Sequence, residues 1–340
     1  MSSTSPPDSS APPRPARWRS ALGTCGALVL GGVLLVAAWS KLIDPQAFIA
    51  QVHLEGLDGL LPATAVAFIG LALEVGLGMA LVLGLRRPWV LVPACLLVAF
   101  FLFLTGRNYW LVSHGLRSGD EGCGCFGNLV QRTPAEAFWQ DLLLLVPPLL
   151  LAWLGRPRGT QPRTTWRLAA VAAVTAAALV LAWKAPELPL DDLATRLKPG
   201  VRVDQLCAGD GAQQVCLSLL LPELEAGSHV VVLAELEDPS FEAAIDQLND
   251  YALDPAPPTL WVLTSDSAEQ QRAFFWRWGP SFELHEVPAA LLKPLYRRLP
   301  RSFVVEQGRV TRTFSGLAPL ASLRPMTTAG GPVQHRDGPG

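Results

Sequence analysis

Apolar residues gather into five runs in the first half of the chain: Leu22–Leu42, Leu61–Leu85, Trp89–Thr105, Phe138–Leu154 and Leu168–Trp183. Each is close to the length that carries an α-helix across a hydrocarbon core. The second half reads differently, with charges interspersed among short segments. His229–Leu236 (HVVVLAEL) suits a buried strand, Phe241–Leu253 has helical spacing, and Thr259–Thr264 (TLWVLT) reads as the next strand, which together make a βαβ unit. Ala268–Trp278 is then a further helix, and Ser302–Glu306 with Val310–Phe314 straddles Gln307-Gly308 as a hairpin. The pattern predicts an α-helical membrane bundle followed by an α/β domain. Its divisions are a Pro/Ser-rich tail at 1–20, a four-helix unit at 21–155, a linker with a fifth membrane helix at 156–185, an α/β unit at 186–323 and a loose tail at 324–340.

Composition agrees with a membrane protein: 50% of the 340 residues are hydrophobic and only 16% charged. The first run is long and lacks a small-residue cleavage site, so it reads as an uncleaved helix rather than a signal peptide. No extended basic block points to nucleic acid. The arginines instead punctuate the spans. Arg14, Arg17 and Arg19 precede span one, Arg86 and Arg87 separate spans two and three, and Arg156, Arg158, Arg163 and Arg167 separate spans four and five. If all five cross, every group lands on one side, and positive charge marks that side as cytoplasmic. The loops Ile43–Leu60 and Gly106–Ala137 and everything after Trp183 are then expected outside, for a bacterial inner-membrane protein in the periplasm.

The outer loop after span three holds Cys123-Gly124-Cys125-Phe126-Gly127. Two cysteines one residue apart close only a very small ring, so a bond between them is easily exchanged and makes a poor staple. An inert pair and a metal thiolate site drawing on His114, Asp120 or Glu121 are the other readings, although only 3 Met and 5 His exist in the chain. Lys41 and Arg107, at the outer ends of spans one and three, are placed to favour thiolate or simply to snorkel toward headgroups, with Asp141 a partner for either. Glu74, near mid-span, reads as a proton relay or as a hydrogen-bonded packing residue with no intramembrane basic partner evident. Cys25 and Cys95 read as small packing residues, Asp44 and Pro45 as a cap, and His229 and His285 as structural. Cys207 and Cys216 flank a turn-rich connector and read as a structural disulfide, with redox duty as the alternative.

Lys41-Leu42-Ile43-Asp44-Pro45 with Phe48, Glu74 and Gly78, and Cys123-Gly124-Cys125-Phe126-Gly127, in combination, resemble the MauE branch of the DoxX-like membrane proteins over roughly residues 22–155. The resemblance implies a four-helix bundle related in design to the vitamin K epoxide reductase type. It also implies a role in making disulfides in exported proteins, as in the maturation of methylamine dehydrogenase. The cofactor it suggests is a membrane quinone, and no metal is expected. The second half resembles a thioredoxin-type domain but has Glu237-Asp238-Pro239-Ser240 where that type carries C-x-P-C, while Leu299-Pro300 matches the place of its cis-proline. Such a domain is expected to dock a client at Pro300 rather than exchange disulfides.

The function expected is therefore a thiol–disulfide redox protein of the membrane. Cys123 and Cys125 cycle, Lys41, Arg107 and Glu74 support them, and the partner is an exported cysteine-containing client or a periplasmic thioredoxin-like protein. The competing reading is a noncatalytic, membrane-anchored assembly factor, which the missing C-x-P-C favours and the retained C-x-C opposes.

Overall fold

A computed structural model describes residues 17–116, 132–157, 164–209, 214–254 and 256–323. They form two compact units that divide between Glu187 and Leu188. The first comprises α1 (Arg17–Ile43), α2 (Pro45–Leu54), α3 (Ala63–Val82), α4 (Pro88–Ser113), α5 (Pro134–Leu154) and α6 (Thr164–Lys184). All but the short α2 are long and apolar enough to cross a membrane, which makes this a multi-pass membrane protein. α3 is apolar on every side because one flank meets other helices and the other meets lipid, so its sequence carries no stripe to say which is which.

Local chemistry sets the ends. Asp44 Oδ1 accepts a hydrogen bond from Ala47 N at 3.1 Å and Pro45 opens α2, so the chain turns sharply after α1. A capping box between Thr133 and Glu136, with Pro134 in the first turn, starts α5 a turn earlier than the apolar run. α4 runs to Ser113, so Gly106, Arg107 and Asn108, expected in a loop, lie on a helix.

Backbones approach closely along α1. A Cβ on Gly23 would stand 2.5 Å from Gly155 Cα, one on Gly26 would stand 2.6 Å from Pro148 O, and one on Gly31 would stand 2.7 Å from Gly78 O. Small residues at helix crossings allow the van der Waals packing that holds helices together where no hydrophobic force acts between them. The Gly23–Gly155 crossing puts the start of α1 beside the end of α5. Buried Arg86, between α3 and α4, donates from Nη1 to Gly155 O at 3.0 Å and Ser20 O at 3.2 Å, tying that end together. The opposite end therefore carries α2, the end of α4, the start of α5 and the end of α6, where Trp183 meets Phe68 with ring centroids 6.1 Å apart.

The second unit contains α7 (Asp191–Ala194), β1 (Cys207–Ala208), β2 (Val215–Cys216), α8 (Leu217–Leu220), β3 (Ser228–Leu233), α9 (Pro239–Glu242) and α10 (Ile245–Ala252). They are followed by β4 (Thr259–Thr264), α11 (Ala268–Trp278), β5 (Leu284–Glu286), α12 (Ala289–Leu292), β6 (Arg301–Glu306), β7 (Arg309–Phe314) and α13 (Leu320–Leu323). A mixed sheet runs β5-β4-β3-β6-β7, with β3 parallel to β4 and antiparallel to β6. Because side chains alternate across a strand, Val231, Leu233 and Phe303 enter one core and Val230, Val232 and Val304 the other. The helix expected over Phe241–Leu253 is two pieces: Ala244 N bonds Phe241 O, a tighter i→i+3 turn, before α10 begins. Cys207 and Cys216 face each other across the β1–β2 pair and are joined by a disulfide. The Leu299–Pro300 bond is cis.

Candidate functional site

The membrane unit's described carboxylates collect toward the end that carries α2. Lys41, in the last turn of α1, is only 3% exposed, and its Nζ pairs with Glu74 Oε1 of α3, itself 1% exposed. Glu74 Oε2 is buried with no hydrogen-bond partner among the described residues. Lys41 also lies over two rings, 4.7 Å from the Phe48 centroid and 5.1 Å from that of Phe101. These contacts desolvate the ammonium while partly replacing water's electrostatic stabilisation. The expectation that Glu74 has no basic partner is thus corrected. The α1–α3 crossing at Gly31 and Gly78 lets the helices come close enough for a lysine and a glutamate 33 residues apart to meet.

Nearer the surface, Glu55 at the end of α2 accepts from Arg107 Nη1 at 3.1 Å and from Asn108 Nδ2 at 2.8 Å, stapling α2 to α4. Asp141 of α5 accepts from Arg132 Nη1 at 3.4 Å and lies within electrostatic reach of Lys41. The pairing of Asp141 with Lys41 or Arg107 expected from sequence is therefore replaced by one with Arg132, while Arg107 takes Glu55. Glu55, Asn108 and Arg132 were missed in sequence reasoning. Their signal was modest: polar residues at helix ends, which usually mean nothing more than the membrane boundary.

Lys41 and Glu74 border a cavity of about 390 Å³ between α2, α3 and α4. Val66, Ile69, Leu73, Leu96 and Leu104 line it, and Gln51 and Glu55 stand toward the polar end. Ile69, Leu73, Leu96 and Phe100 are 51%, 44%, 67% and 42% exposed on helices of membrane length, so the cavity communicates with the lipid-facing surface.

Cys123 and Cys125 lie outside the described residues, as do Asp120 and Glu121. The segment holding them leaves α4 through His114, whose Nδ1 is 2.8 Å from Trp110 O, and re-enters α5 past Arg132. Among the described residues no group of three His, Cys, Asp or Glu side chains is arranged to hold a metal. Cys25 and Cys95 are free thiols on exposed faces of α1 and α4, not packed inside as the sequence suggested.

In the second unit, Asp238 Oδ1 accepts from Ser240 N at 2.6 Å and from Phe241 N at 3.3 Å, and so caps α9. Asp266 accepts from Leu236 N at 2.7 Å and Thr264 Oγ1 at 3.0 Å, holding the ends of β3 and β4 together. Partial burial and then the charges of Asp266, Asp238 and Glu237 hold the Glu235 carboxyl above its ordinary value. Burial, followed by Glu235 and Asp266, pushes the Tyr296 phenol up to about 12. Arg301 begins β6 directly after cis Pro300 and is 1% exposed. It donates to Thr195 Oγ1 at 2.6 Å, Leu295 O at 2.7 Å, Asp192 Oδ1 at 3.1 Å and Leu197 O at 3.3 Å.

The first unit is thus a polytopic helical bundle with a buried ion pair beside a lipid-facing cavity. Residues 19–154 match the family model described as methylamine utilisation protein MauE. The match takes in α1 to α5 and stops short of α6 and the second unit. No curated protein matches the chain.

Proposed function

We propose that this protein is a thiol–disulfide redox protein of the membrane that assists disulfide formation in an exported client, with the maturation of a methylamine-oxidising enzyme as the instance the family description suggests. The supporting observation is position. Arg107–Glu55 on α4 and Arg132–Asp141 on α5 lie on the two helices that precede and follow the Cys123–Cys125 stretch in the chain, and Asp141 is within electrostatic reach of Lys41. Cationic groups near a thiol favour thiolate, the form that attacks a client disulfide or resolves a mixed one. Closing the Cys123–Cys125 bond releases two electrons and two protons. A quinone, the acceptor the resemblance implies, takes up the same number when it becomes a hydroquinone. The orphaned Glu74 Oε2 and the donor Lys41 fit the oxygens of such a group.

Orientation follows from Arg86, Arg156 and Arg167 at the end away from α2, which we take as cytoplasmic. The second unit, begun four residues after α6, then lies outside and serves as a thioredoxin-like binding module that meets the client near Pro300. Asp238 and Asp266 hold the strand ends at its degenerate motif, which favours binding over exchange there and keeps the assembly-factor reading as the competitor. Acid-quenched alkylation of native membranes, read by mass spectrometry of the loop, tests the proposal, with reporter fusions after Arg87 and Pro199 for orientation. A dithiol–disulfide ratio that shifts with client, and a mixed disulfide trapped by Cys125→Ser, are expected. A pair fixed in one state, with full client maturation in both serine variants, leaves only the anchoring role.

A further inference from the structure

We infer that the cavity between α2, α3 and α4 is the binding site for the head group of a lipid-borne quinone, with Lys41 and Glu74 as the residues that hold its oxygens. This rests on the redox reading above and names the place where its acceptor binds. Size is the first argument: about 390 Å³ falls within the range of small-molecule sites and far exceeds a packing defect. Access is the second, since the walls formed by Ile69, Leu73, Leu96 and Phe100 are open on the face that meets hydrocarbon. A ligand arriving there is one dissolved in the bilayer.

Chemistry separates a quinone from an ordinary acyl chain. A hydrocarbon tail fills the apolar walls but leaves Glu74 Oε2 unpaired, and an unsatisfied buried carboxylate oxygen is costly. A quinone carbonyl accepts from an ammonium, and a hydroquinone hydroxyl donates to a carboxylate. The Lys41–Glu74 pair presents both functions side by side, so it is complementary to both redox forms of one ring. Phe48 and Phe101, already over the lysine, add aromatic surface for that ring. Two electrons and two protons lost by the Cys123–Cys125 dithiol equal those gained by the ring, so the exchange balances with no further reactant.

The test uses the full chain in nanodiscs with an azido-substituted short-chain ubiquinone as photolabel and peptide mass spectrometry as readout. Adducts are expected on the α3 and α4 stretches that line the cavity, abolished by excess decylubiquinone and reduced about tenfold by Leu73→Trp, which fills the cavity from its exposed side. Glu74→Gln, which keeps an acceptor oxygen, should label better than Glu74→Leu. Labelling should also survive in the Cys123→Ser, Cys125→Ser double variant, because neither thiol belongs to the site. Adducts that resist competition, or that are indifferent to Leu73→Trp, mean a lipid-filled groove and overturn the inference. Competed labelling without thiol cycling keeps the site and removes the redox reading; cycling without competed labelling does the reverse.

Discussion

Both units bury a cation almost completely, and they treat it in opposite ways. Arg301 of the second unit spreads its two Nη groups over four acceptors drawn from Thr195, Leu197, Asp192 and Leu295. Among the described residues, Lys41 of the membrane unit has one carboxylate partner, whose second oxygen is left without a donor. A planar guanidinium whose two Nη groups meet four acceptors, with only the buried Nε left over among the described residues, is a structural clamp. An ammonium on a flexible stem, beside a half-satisfied carboxylate and a cavity, is kept ready for something else. Burial alone therefore does not distinguish a structural charge from a functional one, and neither does a single unmet atom, which both sites have; what differs is that the membrane unit's pair borders a cavity.

Breaking the clamp should have the largest effect. Arg301→Met removes the shared donor from Thr195 Oγ1 and the Leu295 and Leu197 carbonyls in the core and is expected to cost about 4 kcal/mol, enough to unfold the second unit by pulse proteolysis of the full chain. Arg301→Lys, with one donor head, should recover only part of it. The pair in the bundle should be less sensitive and more strongly coupled. Lys41→Met leaves Glu74 alone in an apolar setting and should cost about 3 kcal/mol, whereas Lys41→Met with Glu74→Met should cost less than Lys41→Met by itself. Thermal unfolding in detergent measures both. If the double variant is worse than either single one, the pair is a clamp too and the contrast between the units collapses.

The smallest effect concerns acidity. Glu235 titrates above its ordinary value of 4.5 in the folded chain. Its contribution to stability is full below that value and is lost as pH rises through the folded value, because the unfolded state gives up its proton first. Glu235→Gln should thus leave the melting point unchanged at pH 4 and raise it by about 1–3 °C at pH 7. A rise that is equal at both values would point to packing instead of charge.

The sequence made the five spans legible because nothing but a membrane helix accounts for apolar runs of that length. β4 and α11 were legible too, with the bounds the structure gives. What stayed hidden was pairing. Lys41 and Glu74 sit on helices with no amphipathic stripe, so no periodicity says that these two faces meet. β5 escaped because Leu284–Glu286 is three residues long with one apolar side chain, and owes its place at the sheet edge to β4. Arg301 was invisible because a charged residue beside a predicted strand ordinarily reads as its solvent-facing start, and only the acceptors contributed from Asp192 to Leu197 draw it inside.

The crossing of Gly23 with Gly155 has a consequence in time as well as in space. Of the described helices α1 is made first, and the partner that covers its opening glycines is the end of α5, completed only after α2, α3 and α4. At a synthesis rate of about 5–20 residues per second, that is a wait on the order of ten seconds. Throughout it, the backbone at Gly26 faces lipid or the insertion machinery, and that end of α1 is held by its apolar length and, once α3 is made, by the crossing at Gly31 and Gly78. Assembly of the bundle is in this sense closed from its last helix back to its first, and whatever delays α5 prolongs the life of an open intermediate.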